Sequence, residues 1–599
     1  MIAPVGPTFS LQEIPFSTHG SWLAISPVIA PATYAPDLHL VTHTAGMHPV
    51  LSLTPYRARS RVETTITGTP AVLTWAAGDG EIQAVFEAPE TIRIRGHGLG
   101  LRLTAAADTL TPFSGAYFYE DPLSGGYVLT TYETGRRYRI TILSGTPVAE
   151  GLQALGTADR HLTIGADTLP WDIAIEEYET GRPRYRPHAD FDQIILDVAR
   201  AFAGFADAVA PWRTAQTPAA ELAAYVLWSA TVRPAGFLSR PGVLMSKHWM
   251  DKIWSWDHCF NALALAAGAP GLAFDQFQIM FDHQDPAGAL PDSVTHSEVL
   301  YNFVKPPIHG WAFGLLRRSL RHDLTPAELR QVYEQLKSWS AFWLVARRAP
   351  GSPLPHYQHG NDSGWDNATA FDPERLIETA DLAAFLILQL RQLTHLAMEL
   401  GKPEEAEHWA TTADQLHTDM LARLWRSDRF HARGVMSGQD WPTDGLLDLI
   451  PIVLSAELPE NVTANLVERI TAHLTEHGLA TELPSSPHYQ SDGYWRGPIW
   501  APATILIEDG LRRAGRTALA DEISHRFRTL CERSGFAENF DARTGAGLRD
   551  RAYTWTASAY LLLAAAHTER AAGPTHRHHP ELDATSPAHL TRGATPAGP

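Results

Sequence analysis

The sequence contains only two cysteines, Cys259 and Cys531, among 599 residues. A fold held together by a disulfide framework is therefore excluded, because such frameworks need several cysteine pairs. Long apolar runs are also missing, since no uncharged stretch reaches the roughly 18 residues expected of a membrane-spanning helix. The N-terminus has neither the basic nor the apolar segment of a secretory signal, so we expect a cytoplasmic protein with no membrane partner.

Basic residues are few as well: 48 Lys and Arg stand against 66 Asp and Glu, which gives a formal net charge of −18. A surface this acidic repels phosphate backbones, so nucleic-acid partners are disfavoured. Tryptophan, by contrast, is abundant, with 18 residues. Many of these tryptophans lie beside polar residues, which suits sugars because a sugar presents apolar C–H faces and a rim of hydroxyl groups. The alternative is that they simply fill the core.

Up to about residue 185 the apolar residues alternate with a period of two. The runs 127–131 and 137–143 flank a turn at 133–136, which indicates a β-hairpin. Many short strands at this spacing predict an antiparallel β-sandwich. We therefore assign residues 1–185 to an N-terminal β-sandwich domain, whose role the sequence leaves open.

From about residue 190 the apolar spacing becomes that of helices. A dozen helices are predicted within 186–572, among them 443–456 and 373–400, the latter with Pro373 in its first turn and Gly401 after its last turn. This arrangement fits either a stacked helical array or a closed double ring. The tail 573–599 is rich in Pro, His and Thr, so we predict disorder there and no metal site.

Four segments combine aromatic and polar residues as active-site loops do. The first, 248–260, places Trp254, Trp256 and Asp257 before an apolar helix, where they could grip a sugar ring. Equally, Asp257 could cap that helix while the tryptophans pack beneath it. The second, 283–294, offers the neutral side chain of Gln284 in a loop, which alone is a weak signal.

The third segment, 359–372, brings Asp362, Asp366 and Asp372 within 14 residues. Carboxylates this close repel each other, so one of them tends to stay protonated, as a general acid must. The alternatives are a helix cap or a calcium loop, but the twelve-residue calcium pattern with its closing Glu is absent. This chemistry alone does not choose among the three aspartates.

The fourth segment joins 494–500 with 536–545. Arg496 lies among aromatic residues, where a guanidinium can stack and still bind a substrate oxygen. Glu538 lies between two phenylalanines, and partial burial there would raise its pKa. Hydrolysis of a glycoside needs two carboxyl groups, one to protonate the leaving oxygen and one to activate water. The third and fourth segments supply one each.

These motifs resemble those of glycoside hydrolase family 63 and its mannosylglycerate hydrolase-like relatives, and more distantly those of the family 37 trehalases. The similarity lies in WSWD at 254–257, DSGWDN at 362–367, YWRGPIW at 494–500 and ENFDARTG at 538–545. The motifs follow one another in the family's order. The resemblance implies an (α/α)6 barrel after the β domain, with the active site at the open end of the ring.

The resemblance also implies roles for individual residues. The second Asp of DSGWDN, here Asp366, corresponds to the general acid of an inverting α-glycosidase, and the Glu of ENF, here Glu538, to its general base. In such enzymes the two carboxyl groups stand about 6.5–9.5 Å apart, which leaves room for the attacking water. The sugar-binding subsite would comprise Trp254, Trp256, Asp257, Gln284, Trp365, Arg496 and Trp500, with Asp362 as a supporting carboxylate.

We accordingly predict an exo-acting α-glucosidase that acts on a glucoside or short oligosaccharide. The alternatives are an α-mannosidase or glycosylglycerate-type hydrolase of a small solute, and a carbohydrate-binding protein without catalysis. The presence of both carboxylates argues against the binding protein, and Glu538 argues against a phosphorolytic relative in which phosphate replaces water. No cofactor and no metal are predicted, since the calcium site of some relatives cannot be matched residue by residue, and a homodimer is left open.

Overall fold

The structure is a computed structural model that describes residues 6–58, 60–165, 169–320 and 323–572. The tail 573–599, for which we predict disorder, lies outside the described residues. Strands fill the chain from Leu23 to Tyr178, and helices predominate from Phe191 onward. The change of period along the sequence thus predicted correctly an all-sheet N-terminal region and a helical C-terminal region.

Two large antiparallel sheets make up the N-terminal region. Its strands are β1 Leu23–Ala30, β2 Thr33–Thr42, β3 His48–Arg57, β4 Ser60–Arg61, β5 Thr65–Gly68, β6 Leu73–Ala77, β7 Gly80–Ala88, β8 Thr91–His97, β9 Gly100–Ala105, β10 Thr109–Leu110, β11 Ala116–Glu120, β12 Tyr127–Thr131, β13 Arg137–Ser144, β14 Pro147–Glu150, β15 Gly156–Thr157, β16 His161–Ile164 and β17 Trp171–Tyr178. One sheet has the order β1-β2-β3-β9-β16-β14, with β4 paired to β3. The other has the order β11-β12-β13-β17-β8-β7-β6-β5, and β10 pairs with β15.

The alternation of apolar residues places one face of each sheet inside. In β9, Leu101 and Leu103 are fully buried while the residue between them is partly exposed. Apolar side chains from both sheets belong to the same hydrophobic cluster. The predicted hairpin is confirmed, since β12 pairs antiparallel with β13 and Gly135 in the turn has a positive φ of 63°.

The helical region begins at Phe191. Its helices are α1 Phe191–Val209, α2 Ala220–Ala230, α3 Asp257–Leu265, α4 Pro270–Gln278, α5 His309–Ser319, α6 Pro326–Ala341, α7 Gly360–Ser363, α8 Ala380–Glu399, α9 Pro403–Leu424, α10 Glu460–His473, α11 Ala501–Arg513, α12 Thr517–Ser534 and α13 Thr554–Ala571. Three-residue 3-10 turns lie at Phe281–His283 and Thr369–Phe371, a longer 3-10 segment at Leu446–Glu457, and a π-helical turn at Phe342–Ala346.

Short strands link the loops at the helix ends. They are β18 Thr231–Val232, β19 Gly242–Val243, β20 Ile253–Trp254, β21 Ser293–Val294, β22 Val299–Leu300, β23 Ile377–Glu378, β24 Trp425–Arg426, β25 Arg429–Phe430, β26 Ala432–Gly434, β27 Asp440–Trp441, β28 Asn539–Phe540 and β29 Gly547–Leu548. Two of these pairings frame candidate site residues, because β20 pairs with β21 beside Trp254 and β28 pairs with β29 beside Glu538.

Several helix predictions need correction. The helix predicted from 373 begins only at Ala380, because Ile377 and Glu378 pair with β26 and pull the preceding residues into a loop. Pro373 is therefore not in a first helical turn, whereas Gly401 does follow the last turn with a φ of 72°. The predicted helix 443–456 is instead a 3-10 segment that contains Pro451. The sequence analysis missed α4 and the single-turn α7.

The helices pack in a closed circuit. Helix α3 packs against α5, α5 against α8, α8 against the segment Leu446–Glu457, that segment against α11, α11 against α13, and α13 again against α3. The remaining long helices flank this circuit: α2 packs on α13, α4 on α3, α6 and α9 on α8, α10 on Leu446–Glu457, and α12 on α11. Gly310 allows the close approach of α5 to α8, since a Cβ there would lie 2.4 Å from the Cα of Gln389. Among the helices of the described residues, none combines the length and apolar character needed to traverse a bilayer.

Candidate active site

The segments that precede α3, α5, α8, α11 and α13 meet at one end of the circuit. The Lys305 ammonium, before α5, donates to the backbone oxygen of Asn361, before α8. Asn367 in turn contacts the segment before α11, since its amide donates to the oxygen of Gly493 and its side-chain oxygen accepts from the Trp495 amide. Chain segments far apart in sequence thereby converge on a single region.

Asp366 lies in this region with 29 % of its side chain exposed, which leaves it accessible from outside. The ammonium nitrogen of Lys305 is 3.9 Å from its Oδ1. Burial raises the pKa of Asp366, while the positive charge of Lys305 opposes that shift. A carboxyl group so placed can hold a proton and still reach a ligand.

Lys305 is a buried cation surrounded by acidic groups. Its ammonium lies 3.1 Å from Oδ1 of Asp292, in addition to its contact with Asp366. Burial by itself lowers the pKa of Lys305, but the carboxylates of Asp366, Asp292 and Asp257 outweigh that effect and raise it. The ammonium therefore stays charged and offsets the mutual repulsion of the three carboxyl groups.

Asp257 opens helix α3 and is buried at 4 % exposure. Its Oδ2 has no hydrogen-bond partner among the described residues. Burial raises its pKa well above the usual value, and the charges of Asp366 and Asp292 add to this rise against the opposing effect of Lys305. A buried carboxyl oxygen without a partner is costly, so Asp257 is suited to a hydroxyl donor from a ligand.

Glu538 lies 3 % exposed between α12 and α13. Its backbone N–H donates to the carbonyl oxygen of Asp550 at 2.7 Å, and its carboxyl group is hydrogen-bonded to the phenol of Tyr494. Burial and the charge of Asp550 raise the pKa of Glu538 to about 8, while Arg549 and the Tyr494 hydrogen bond oppose the rise. Glu538 therefore changes protonation near neutral pH, as an acid–base catalyst does.

Tyr494 links the two predicted catalytic groups. Burial raises its pKa well above the usual value, and the charges of Glu538, Asp366 and Asp257 raise it further. Both Tyr494 and Arg549 have positive φ angles, of 63° and 60°, and the guanidinium of Arg549 lies 4.9 Å from the Tyr494 ring centroid. Such strained backbone is concentrated at functional sites. The structure thus brings Asp366, Asp257 and Glu538 into one electrostatically coupled cluster.

The tryptophans form a packed layer behind this cluster. The ring of Trp495 stacks on Trp500 with centroids 4.0 Å apart. It is tilted against Trp365, whose centroid lies 4.6 Å away, and against Trp256 at 6.2 Å. All four are almost fully buried, whereas Trp254 is only half-buried. The predicted subsite residues Trp256, Trp365 and Trp500 are therefore together, but most of their surface is used in packing.

Arg496 and Asp362 bind protein groups. The Arg496 guanidinium donates to the oxygen of Asn367 at 2.7 Å and to Oδ1 of Asp372 at 2.5 Å, so it holds the loop that carries Asp366. Asp362 is 1 % exposed and accepts hydrogen bonds from the Arg347 guanidinium and from the backbone amides of Val304 and Gln358, which lie on different loops. Both residues thus support the loop that carries Asp366; Asp362 is fully enclosed, whereas 22 % of the Arg496 side chain stays exposed.

Gln284 is not brought to the cluster. Its side-chain amide donates to the oxygens of Gly288 and Gln335, which ties the 285–288 turn to α6. A loop glutamine gives no sequence signal that separates such bracing from sugar binding, and no contact of Gln284 supports the predicted subsite role.

Within the described part of the chain, one group of residues has metal-ligand chemistry: the ligand atoms of His258, Cys259 and His309 lie within 4.8 Å of one another. The indole N–H of Trp339, however, donates to Nδ1 of His309 at 3.2 Å. Burial lowers the pKa of His309 well below the usual value, so its ring is neutral and its hydrogen lies on Nε2. His309 then has no lone pair for a metal, and the arrangement does not fit a metal site.

Lys305, Asp292 and the phenol of Tyr494 were not predicted from the sequence. Lys305 precedes a Pro-Pro pair and Asp292 follows a proline, which are ordinary loop contexts. Tyr494 lies within the YWRGPIW motif, but its hydroxyl contact depends on a residue 44 positions further along the chain.

The comparison with known families agrees with this geometry. The model of the mannosylglycerate hydrolase MGH1-like glycoside hydrolase domain matches residues 250–556, just over half of the chain, and that range includes Asp257, Lys305, Asp366 and Glu538. The protein is therefore a glycoside hydrolase. It belongs to the MGH1-like family of these enzymes.

Similar proteins lie at low sequence identity. The mannosylglycerate hydrolase of Rubrobacter radiotolerans is 23% identical over 419 residues, which is 54% of this chain and 92% of the relative. Mannosylglycerate hydrolase MGH1 of Selaginella moellendorffii is 21% identical over 51% of this chain and 79% of that protein. The crystal structure of the GH63 mannosylglycerate hydrolase of Thermus thermophilus in complex with glucose has a TM-score of 0.50 and 20% identity, covering 57% of this chain and 98% of that chain. That last likeness shows a shared fold.

The environment of Glu538 leads to a testable prediction. Tyr494→Phe removes a hydrogen bond that favours the ionised carboxylate, so the pKa of Glu538 should rise above about 8. Asp550→Asn removes a neighbouring negative charge, so that pKa should fall. Infrared difference spectra of the protonated carboxyl band, taken against Glu538→Gln, measure both shifts. A lower pKa in Tyr494→Phe, or no shift in either variant, would contradict this description.

Proposed function

We propose that the protein is an inverting, exo-acting α-glycosidase in which Asp366 is the general acid and Glu538 the general base. One observation carries the proposal: the negative charges of Asp366 and Glu538 both raise the pKa of the Tyr494 phenol, so both carboxyl groups lie near that side chain at the end of the helical circuit. The family match places both residues in a glycoside hydrolase domain. Two carboxyl groups in one pocket are the minimum that glycoside hydrolysis requires.

The fold supports this proposal. Six successive elements in a closed circuit, with six further helices packed around them, are what an (α/α)6 barrel requires. Two antiparallel sheets with a shared core support an N-terminal β-sandwich, with domains at 1–185 and 186–572. The buried tryptophan layer packs against Tyr494 through Trp500, with ring centroids 4.9 Å apart, and a closed wall at this position favours exo action on one terminal sugar.

The assignment of acid and base rests on the motifs. Burial raises the pKa of both Asp366 and Glu538, so the raised values suit a proton donor at either position. In the proposed reaction Asp366 gives its proton to the glycosidic oxygen while Glu538 takes a proton from the attacking water. The working state therefore needs Glu538 ionised, and Tyr494 and Arg549 both favour that ionised form.

The charge of the site favours a neutral substrate. Lys305 contacts Asp292 and Asp366, Arg496 contacts Asp372, Arg347 contacts Asp362, and Arg549 contacts Asp492. Each of these four cations is thus already compensated by a carboxylate. We propose a neutral α-glucoside or short oligosaccharide as substrate. The names of the relatives favour a second candidate, a glycosylglycerate-type solute such as mannosylglycerate.

A substrate panel separates the two candidates. Initial hydrolysis rates with α-linked glucose disaccharides and neutral glucosyl polyols should exceed those with glucosylglycerate and mannosylglycerate, because an anionic aglycone would face uncompensated carboxyl groups. A kcat/KM for mannosylglycerate above that of every neutral glucoside would overturn the neutral-substrate proposal and favour the second candidate.

The acid and base roles can be separated with an activated substrate. Asp366→Asn and Glu538→Gln should each remove nearly all hydrolysis of a natural glycoside, with about a thousandfold loss or more. Asp366→Asn should keep substantial activity on the matching α-glycosyl fluoride, because fluoride leaves without protonation. Glu538→Gln should lose its activity on the fluoride as well, because the attacking water still needs a base to accept its proton. Arg513→Gln, remote from the cluster, serves as the control. If Glu538→Gln kept activity on the fluoride and Asp366→Asn did not, Glu538 would be the acid and Asp366 the base.

A further inference from the structure

A buried loop, residues 246–251, lies between the sheet region and the segment that carries Glu538. The amide of Met245 donates to the oxygen of Lys252 and that of Ser246 to the oxygen of Met250, both at 2.9 Å, which closes the loop tightly. Ser246, Lys247, His248 and Asp251 are all less than 5 % exposed. Four polar side chains buried in one short loop need partners.

Two of these side chains bind the segment that carries Glu538. The Ser246 hydroxyl donates to Oδ2 of Asp550 at 2.6 Å, and Nδ1 of His248 lies 3.2 Å from Oδ1 of the same residue. Asp550 then accepts the backbone N–H of Glu538 through its carbonyl oxygen at 2.7 Å. The position of the Glu538 backbone thus depends on a carboxylate that the loop holds at both oxygens.

The other two side chains bind the sheet region. The Lys247 ammonium donates to the Ser17 hydroxyl at 2.8 Å and to the Ser21 carbonyl at 2.6 Å. Asp251 pairs through Oδ2 with Nδ1 of His43, the residue directly after β2, at 2.9 Å. Burial lowers the pKa of Lys247 well below the usual value, and neutral oxygens are its only hydrogen-bond partners among the described residues. A cation placed in this way is costly unless those oxygens stay fixed.

We propose that the loop 246–251 couples the N-terminal sheet region to the general base, with Ser246 and His248 as positioning residues for Glu538 and with Lys247 and Asp251 as their anchors on the sheet region. The assignment of Glu538 as base rests on the proposed function, whereas the physical coupling does not. Lys247, which binds the sheet region, lies between Ser246 and His248, which bind Asp550. A displacement of Lys247 therefore also moves the two side chains that hold Asp550. A small displacement of a catalytic group is enough to slow a reaction about a hundredfold.

The coupling is measured first without any substrate, by hydrogen–deuterium exchange of the peptide that spans 536–552. Ser246→Ala and Lys247→Met should each accelerate exchange there, although the hydrogen bonds that Lys247 forms among the described residues go to Ser17 and Ser21 and not to that peptide. Ser17→Ala, which removes one of the two Lys247 acceptors, should give a smaller effect in the same direction. Lys252→Met, which removes an exposed ion pair with Glu298 at the end of the same loop, is the matched control and should leave exchange unchanged.

The reaction provides the second readout. Ser246→Ala and Lys247→Met should lower kcat by about tenfold to a hundredfold with KM nearly unchanged, since they shift the base and not the sugar subsite. Hydrogen–deuterium exchange of the peptide 403–424, which forms helix α9, shows whether a variant destabilises the whole protein. Its exchange should stay as in the wild type.

Unchanged exchange of 536–552 in both Lys247→Met and Ser17→Ala would overturn the coupling. Faster exchange with an unchanged kcat would overturn the positioning role. Failure of the proposed function looks different: Glu538→Gln would keep its activity, or the wild type would hydrolyse no glycoside, while the exchange measurement would still decide the coupling.

Discussion

The charge balance around Lys305 is the constraint on which the active-site end of the helical circuit depends. Three carboxyl groups that come from separate loops, Asp257, Asp292 and Asp366, surround one buried ammonium. Without that ammonium, the burial and mutual repulsion of these carboxyl groups would destabilise the contacts between the segments that carry them. With it, Asp366 keeps a raised pKa without a buried net charge of minus three, and the loops before α3, α5 and α8 stay in contact.

Glu538 belongs to a second electrostatic environment, which reaches beyond the helical region. Burial and the charge of Asp550 raise its pKa, while Arg549 and Tyr494 oppose that rise. Asp550 is in turn held by the buried loop 246–251, which also contacts the sheet region. The all-sheet region is therefore connected to the backbone of Glu538 through the loop 246–251 and Asp550. The two halves of the chain share one hydrophobic cluster, which is consistent with this mutual dependence.

The sequence predicted the parts of the structure that depend on local pattern. The hairpin at 127–144 follows from alternation and a glycine turn. Glu538 stands out between two phenylalanines, whereas Asp366 is distinguished from its neighbouring aspartates only by the resemblance of DSGWDN to the family motif. The start of α8 could not be predicted, because the pairing of Ile377 with β26 depends on residues more than 50 positions away. Lys305 and Tyr494 were not predicted for the same reason, because the carboxyl groups that they contact lie on other loops. Predicting such contacts requires the fold itself.

The central claim is that a pair of carboxyl groups hydrolyses an α-glycoside with water entering opposite the leaving group. The most direct test follows the anomer that is released first, by proton NMR within the first minutes of turnover, before mutarotation. The account predicts that the β-sugar appears first from an α-linked substrate. Initial release of the α-anomer would require a covalent intermediate, and it would contradict the inverting role proposed for Asp366 and Glu538.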